Sequence, residues 1–506
     1  MKKCISCLLL CSLILSTLTA CGQSADTDVT DETTAAPITE AVETADPTKD
    51  EYGRDIVKSS IPDDTDFGGA ELTILLRDRL DGIEYEYEFI AEAENGDLIN
   101  DAIFKRNRET EEDLGITFEH ISGFGNPGEY QNVLNKSIRA RDGAYDIAAY
   151  YAYFGSAWAI NGFFYNLLDL DYLDFEKPWW NRSFVDEMTI SDTLYAAVGD
   201  VSLTSINRVY AMFFNKVLAA EYCPDVNFYD LVREGKWTID TFAELNKGLY
   251  NDINGNSERD DDDFYGWATS ASAIPVDGLQ VALGLNITES DSDGMPTFVY
   301  GNERSATAYE KIYDLYFHNP GVQGNPYGGE YVELCSRKMM NGSTLFLVQI
   351  FKETDLLRDM EDDYGVLPIF MLDESQNGYY TTSHDAFSLI SIVSTCEAPE
   401  IAAAALEKLS ETSYKYVTPT YFEVALKTKY ARGDEDSEMY DIIIEGRTYN
   451  FGMVMSSSCG NIAQLWRTML DGQQNNFVSS VERQTKSITK QIEKLVEKFE
   501  KLAAEA

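Results

Sequence analysis

The apolar residues of this chain fall into blocks whose length and period change along it, and the blocks mark out the elements. Past residue 67, Leu72-Thr-Ile-Leu-Leu76 is an apolar run of strand length. From Asp97 to Leu114, Ile99, Ile103, Thr110 and Leu114 recur on one helical face. Asp97 suits the N-cap of that helix and Gly115 the position after its end. A strand Ile116–Ile121 follows, then a helical stretch Tyr130–Arg141, then a strand Tyr145–Tyr150. Strand, helix, strand, helix, strand is the order of a parallel α/β sheet. Ligands of such sheets gather at the carboxyl ends of the strands, which puts Tyr150, Tyr151, Tyr153 and Phe154 at the mouth of a cleft. Core packing beneath a loop is the competing reading for any one of these rings. At the far end, Ile488, Ile492, Leu495, Phe499 and Leu502 form a packing face on a last helix.

The first block differs in kind. After Met1-Lys2-Lys3 an apolar run from Cys4 to Leu18 is short for a bilayer span, and it closes on Leu18-Thr19-Ala20-Cys21. That order predicts a cleaved signal peptide over residues 1–20. The cysteine at the cut resembles the lipobox of bacterial lipoproteins, which implies a lipid on Cys21. Two or more acyl chains would make the anchoring stable, at about 0.8 kcal/mol per buried methylene. The alternative is a secreted protein with an incidental cysteine. From Gly22 to Asp50 there is no aromatic residue, and eight acids stand against Lys49 alone. Residues 21–66 are therefore expected to be a disordered acidic tether.

Composition narrows the function. The 506 residues carry 86 Asp and Glu against 40 Lys and Arg, a formal charge of −46, which argues against nucleic acid as a partner. A 44% hydrophobic and 12% aromatic content nevertheless supports a large folded core, and a chain of this length is expected to form two lobes. Outside the signal region, Cys223, Cys335, Cys396 and Cys459 are widely spaced and without a CxxC pair, so they read as buried thiols or at most one disulfide. His120, His318 and His384 are far apart, and no HExxH, GxSxG or P-loop pattern occurs. Catalysis is not expected. His384 is placed in a strand-end loop, lining the cleft or half buried.

A series of short motifs, in order over most of the ordered chain, carries a resemblance. Asp146-Ile leads into aromatics and Gly155, then Gly162-Phe-Phe-Tyr-Asn-Leu167. Leu194-Tyr-Ala-Ala-Val-Gly199-Asp200 and Val209-Tyr-Ala-Met-Phe-Phe-Asn215-Lys216 follow, then Gly235-Lys-Trp237-Thr-Ile-Asp240, Asp363-Tyr-Gly365-Val-Leu-Pro368 and Val417-Thr-Pro419-Thr-Tyr421. Together they resemble the extracellular solute-binding proteins of bacterial carbohydrate ABC importers, of the maltose-binding type. The resemblance implies an α/β, two-lobed periplasmic-binding-protein-like fold of type II, with several chain crossings at the hinge. The first lobe is expected over 67–210 and 342–392, the second over 211–341 and 393–506. It implies a carbohydrate ligand, ABC permease subunits as membrane partners, a monomer, and a place on the outer face of the cytoplasmic membrane. By position it puts Tyr150, Tyr151, Tyr153, Trp267, Gln349, Phe351 and Trp466 at the ligand. Trp179-Trp180 is left out as a structural corner. A glycan-holding surface protein without a transporter, a receptor for a non-sugar ligand such as a peptide, and a glycan-active enzyme are the alternatives.

One loop has chemistry of its own. Asp252, Asn254, Asn256, Asp260 and Asp263 stand at positions 1, 3, 5, 9 and 12 of a twelve-residue run, with the Glu258 carbonyl at position 7. This is the EF-hand spacing of oxygen ligands for calcium, except that Ser257 replaces the usual glycine and Asp263 the usual glutamate. It also resembles dockerin loops. A structural Ca²⁺ is expected, with an Asx-rich turn as the alternative.

Overall fold

The computed structural model describes residues 47–78, 86–325, 332–357, 359–430 and 433–505. The signal peptide, Cys21 and the tether up to residue 46 lie outside them. No helix among the described residues is long and apolar enough to cross a membrane.

Among the described residues, twelve strands are shared between a four-stranded sheet, a six-stranded sheet and a small ribbon. In the first sheet, β1 (Ala70–Leu76) lies between β2 (Ile116–Ile121) and β3 (Ile147–Tyr151), parallel to both. The last strand, β12 (Ser388–Ile392), runs antiparallel along β3, pairing Leu389 with Tyr150. Alternation assigns the two faces. Leu72, Ile74, Leu76, Ile147 and Ala149 join one apolar core, whereas Leu75, Ala148 and Tyr150 join the other. The helix Leu98–Leu114 connects β1 to β2. Asp97 caps it through the N–H groups of Ile99 and Asn100, and Gly115 closes it at φ 60°.

The second sheet is built on β4 (Tyr210–Asn215) and β10 (Thr344–Ile350), antiparallel neighbours that are buried throughout. Around them lie β5 (Tyr250–Asn251), β6 (Phe264–Thr269), β9 (Val322–Gly324) and β11 (Tyr364–Leu367). Strands β7 (Thr288–Ser290) and β8 (Pro296–Phe298) form the ribbon. This sheet corrects the expected lobe boundaries. Residues 342–367 were expected in the first lobe, but β10 pairs with β4 and β6 and β11 pairs with the other edge of β4, so both strands belong to the second sheet. Conversely, the helix Pro399–Thr412 was expected in the second lobe. It lays Ala402, Ala403, Leu406 and Leu409 into the core of the first sheet.

The chain passes between the sheets several times. Two passages lie side by side, with Val209 bridged to Ser383 and Tyr210 N–H donating to the Thr382 carbonyl at 3.2 Å. A third runs from Ser413 to the helix Asp434–Glu445, whose Asp436 accepts from Lys216 and Tyr229 beside the second sheet. The C-terminal helix, Phe477–Glu505, spans both halves. Phe477 packs on Tyr309 near its start, and Phe499 stacks on Tyr195 near its end. The tether assignment also needs correction at its end. Arg54 lies over the Tyr414 ring at 4.5 Å and Ser59 donates to Glu411 at 2.7 Å, so residues 48–66 are fastened by polar contacts that apolar content does not reveal.

Candidate functional site

Where the first sheet ends and the paired passages cross, a cavity of about 500 Å³ opens. Its walls come from both halves: Tyr153, Asp385 and Phe387 follow β3 or precede β12, while Tyr210 begins β4 and Asp277 and Arg467 sit on helices of the second half. Asp277 is the one charged residue of the short helix Ala273–Ala282 and is almost wholly buried. A buried carboxylate needs a partner. Arg467, on the helix Leu465–Asp471, supplies it through both Nε and Nη2, with Nε to Oδ1 at 2.7 Å. The same Nη2 reaches Asp385 at 3.3 Å. Burial raises the Asp277 carboxyl, with Arg467 pulling the other way. A second link between the halves runs through the Tyr153 hydroxyl, which donates to Asn461 and accepts from Gln464, both at 2.7 Å.

The aromatics expected at the ligand separate sharply. Tyr153 lines the cavity. Tyr151 stands behind it, hydroxyl to Asp385 at 3.4 Å and ring beneath Arg77. Tyr150 points to the opposite face, stacked on Phe164 and bonded to Ser391 at 2.8 Å. The close approach of Gly155 to its ring, where any Cβ would clash, explains that glycine. Trp267, Gln349, Phe351 and Trp466 do not line the cavity. Trp267 packs between Phe242 and Tyr316, and Phe351 against Tyr440. Gln349 is buried within β10 and bonded to Ser336. Trp466 packs against Tyr309 and Phe477. Trp267, Phe351 and Trp466 are turned into the apolar core that Tyr150 also joins, so large aromatics marked the core there.

His384 is half buried behind the cavity. Its Nδ1 accepts from the Ala386 N–H at 3.2 Å, and burial pushes the imidazole down to about 4. An Nδ1 that accepts a hydrogen bond carries no proton, in keeping with a neutral ring. The four cysteines outside the signal region are buried and unpaired.

The Asp252–Asp263 loop folds as a chain of Asx turns. Asp252 accepts from the N–H groups of Gly255 and Ser257, and Asn256 from Glu258. Ser257 takes φ 64°, the left-handed turn usually made by glycine. Asn254 and Asn256 direct their amide N–H groups at Asp260, the latter at 2.6 Å. Asp263 is fully buried; one oxygen accepts from Tyr250, while Oδ1 has no partner. Among the described residues no three His, Cys, Asp or Glu side chains converge on a metal position.

Two sheets, paired crossings and a cavity between the halves make a two-lobed α/β fold. Solved structures share it over most of the chain. The cyclic α-maltosyl-1,6-maltose binding protein of Arthrobacter globiformis is 12% identical with a TM-score of 0.58, over 84% of this chain and 100% of that one. The galacto-N-biose-/lacto-N-biose I-binding protein of Bifidobacterium longum, in complex with lacto-N-biose, is 13% identical with a TM-score of 0.54, over 84% and 98%. An ABC-transporter-associated binding protein of B. animalis subsp. lactis, in complex with β-1,6-galactobiose, is 14% identical with a TM-score of 0.53, over 85% and 98%. No protein-family model and no curated protein sequence matches the chain.

Proposed function

We propose that this protein is a solute-binding receptor that closes on a sugar or oligosaccharide and delivers it to an ABC permease, carried outside the membrane by a lipid on Cys21. The cavity shared by both halves carries the reading. At about 500 Å³ it falls within the roughly 300–1,000 Å³ of small-molecule sites. Tyr153 and Tyr380 are partly exposed aromatic residues on its wall, and Asn286, Asn377 and Gln464 offer planar amides. Sugars present apolar C–H faces and hydroxyl rims to match such a mixture. Neighbours of the same fold are binding proteins, three of them named for or complexed with sugars.

A thermal-shift screen against a sugar library tests this, because a ligand at a hundred times its Kd adds about 2.7 kcal/mol to stability. The hit should also reduce the radius of gyration in solution scattering. A melt unmoved by every sugar but raised by peptides would leave only a two-lobed receptor; release of product from a glycan would make it an enzyme.

We also propose a structural Ca²⁺ in the Asp252–Asp263 loop. Rotating the Asn254 and Asn256 amides would present their oxygens beside Asp252, Asp260 and the Glu258 carbonyl. The unpartnered oxygen of buried Asp263 supports the reading.

A further inference from the structure

Among the described residues, the charged groups lining the cavity are Glu187, Asp277 and Asp385 against Arg304 and Arg467, and no lysine joins them. Both arginines are engaged. Arg467 is held by two carboxylates, as described above. Arg304 donates Nη2 to the Leu283 carbonyl and to Gln376, each at 2.8 Å, and Nε to the Gly284 carbonyl at 3.3 Å; Asp373 lies 3.5 Å from its Nη1. Glu187 is less committed. The Phe451 N–H reaches one of its oxygens at 2.8 Å and the Asn450 amide reaches the same oxygen at 3.4 Å. The other accepts no hydrogen bond from the described residues, and it is not among the polar atoms sealed from solvent without a partner. Burial raises the Glu187 carboxyl, the Phe451 N–H opposes that rise, and Asp186 and Glu289 add to it.

Resting on the sugar-binding reading, we infer that this cleft selects its ligand by charge: it takes uncharged sugars, accepts an amine-bearing sugar against Glu187, and rejects acidic sugars such as uronates, sugar phosphates and sulfated sugars. An anionic group entering the cavity meets the Glu187 carboxylate, which forms no ion pair among the described residues, beside two others that share Arg467. The Arg467 guanidinium is already shared by Asp277 and Asp385, and Arg304 is held by two carbonyls, Gln376 and, at 3.5 Å, Asp373, so an anion pairing with either competes with acids already present. Rejection by unfavourable charge is a common source of specificity. The formal charge of −46 adds a field that repels anions during approach. Arg467 keeps a use, because its Nη1 has no protein partner among the described residues and can donate to a ligand hydroxyl. An ammonium group instead gains the open oxygen of Glu187.

Calorimetric titration of the intact protein with matched neutral, glucosamine and uronic-acid oligosaccharides tests the inference. The neutral and glucosamine series should bind, with the uronates weaker by about tenfold or more at low salt. Glu187→Gln should lower the affinity for glucosamine oligosaccharides relative to neutral ones. Uronates binding as tightly as the neutral series would overturn charge selection and leave the sugar reading standing. Binding by none of the three series would overturn both.

Discussion

Glu407 lies fully buried on the helix Pro399–Thr412. Trp180 Nε1 donates to one of its oxygens at 2.9 Å, and the other has no partner. Burial pushes this carboxyl up to about 7, well above its usual value of 4.5. A folded-state pKa raised above the unfolded one gives stability that is complete below the unfolded value and lost as pH rises through the folded one. The loss for Glu407 therefore runs from about pH 4.5 through pH 7. Glu407→Gln keeps an acceptor for Trp180 and removes the charge. Its melting temperature should exceed the parent's at pH 8, by about a degree for each kcal/mol recovered in a chain of this length, and match it near pH 5. Equal melts at pH 8 would show that the buried carboxylate is relieved in some other way. At this same scale the sequence was only partly legible. Tyr153 was identified because it follows a strand end. Trp466 was misread one residue away from the cleft, since a helix turns about 100° per residue and sends Trp466 to the core and Arg467 to the cavity. Asp277 was missed altogether. A lone acid in the apolar helix Ala273–Ala282 is itself a signal, but its partner is 190 residues away.

The elements of the first sheet were the most legible part of the chain. The strand Ile116–Ile121 and the helix ending at Leu114 fall where their periodicity and caps put them. What local pattern could not show was which sheet each later element joins. An apolar run such as Thr344–Ile350 fits the middle of any covered sheet. The Asp252–Asp263 loop poses its question at this scale too, since its spacing serves both Asx turns and calcium. Under the calcium proposal, adding Ca²⁺ should raise the melting temperature and EDTA should lower it, and Asp252→Ala should abolish the difference. An identical melt in both conditions would leave the loop as turns held by Asp260 and its two asparagines.

For the whole molecule, the two sheets were foreseeable from length and from the order of the motifs, while their exact contents were not. Folding assigns the segments around 342–367 and 399–412 by which core has room for them. Lipid anchoring also belongs to this scale. Cys21→Ser should release the protein from membrane fractions and abolish lipid labelling, and a variant still sedimenting with membranes at high salt would refute the anchor. One consequence of the packing concerns light. All six tryptophans, at 158, 179, 180, 237, 267 and 466, are buried, and none lines the cavity. The native emission should be blue-shifted and resistant to aqueous quenchers, and it should change little when ligand enters. Tyr153→Trp would place an indole on the cavity wall. A sugar that leaves the parent spectrum still but shifts that of the variant would make this single position the optical probe of an otherwise dark cleft.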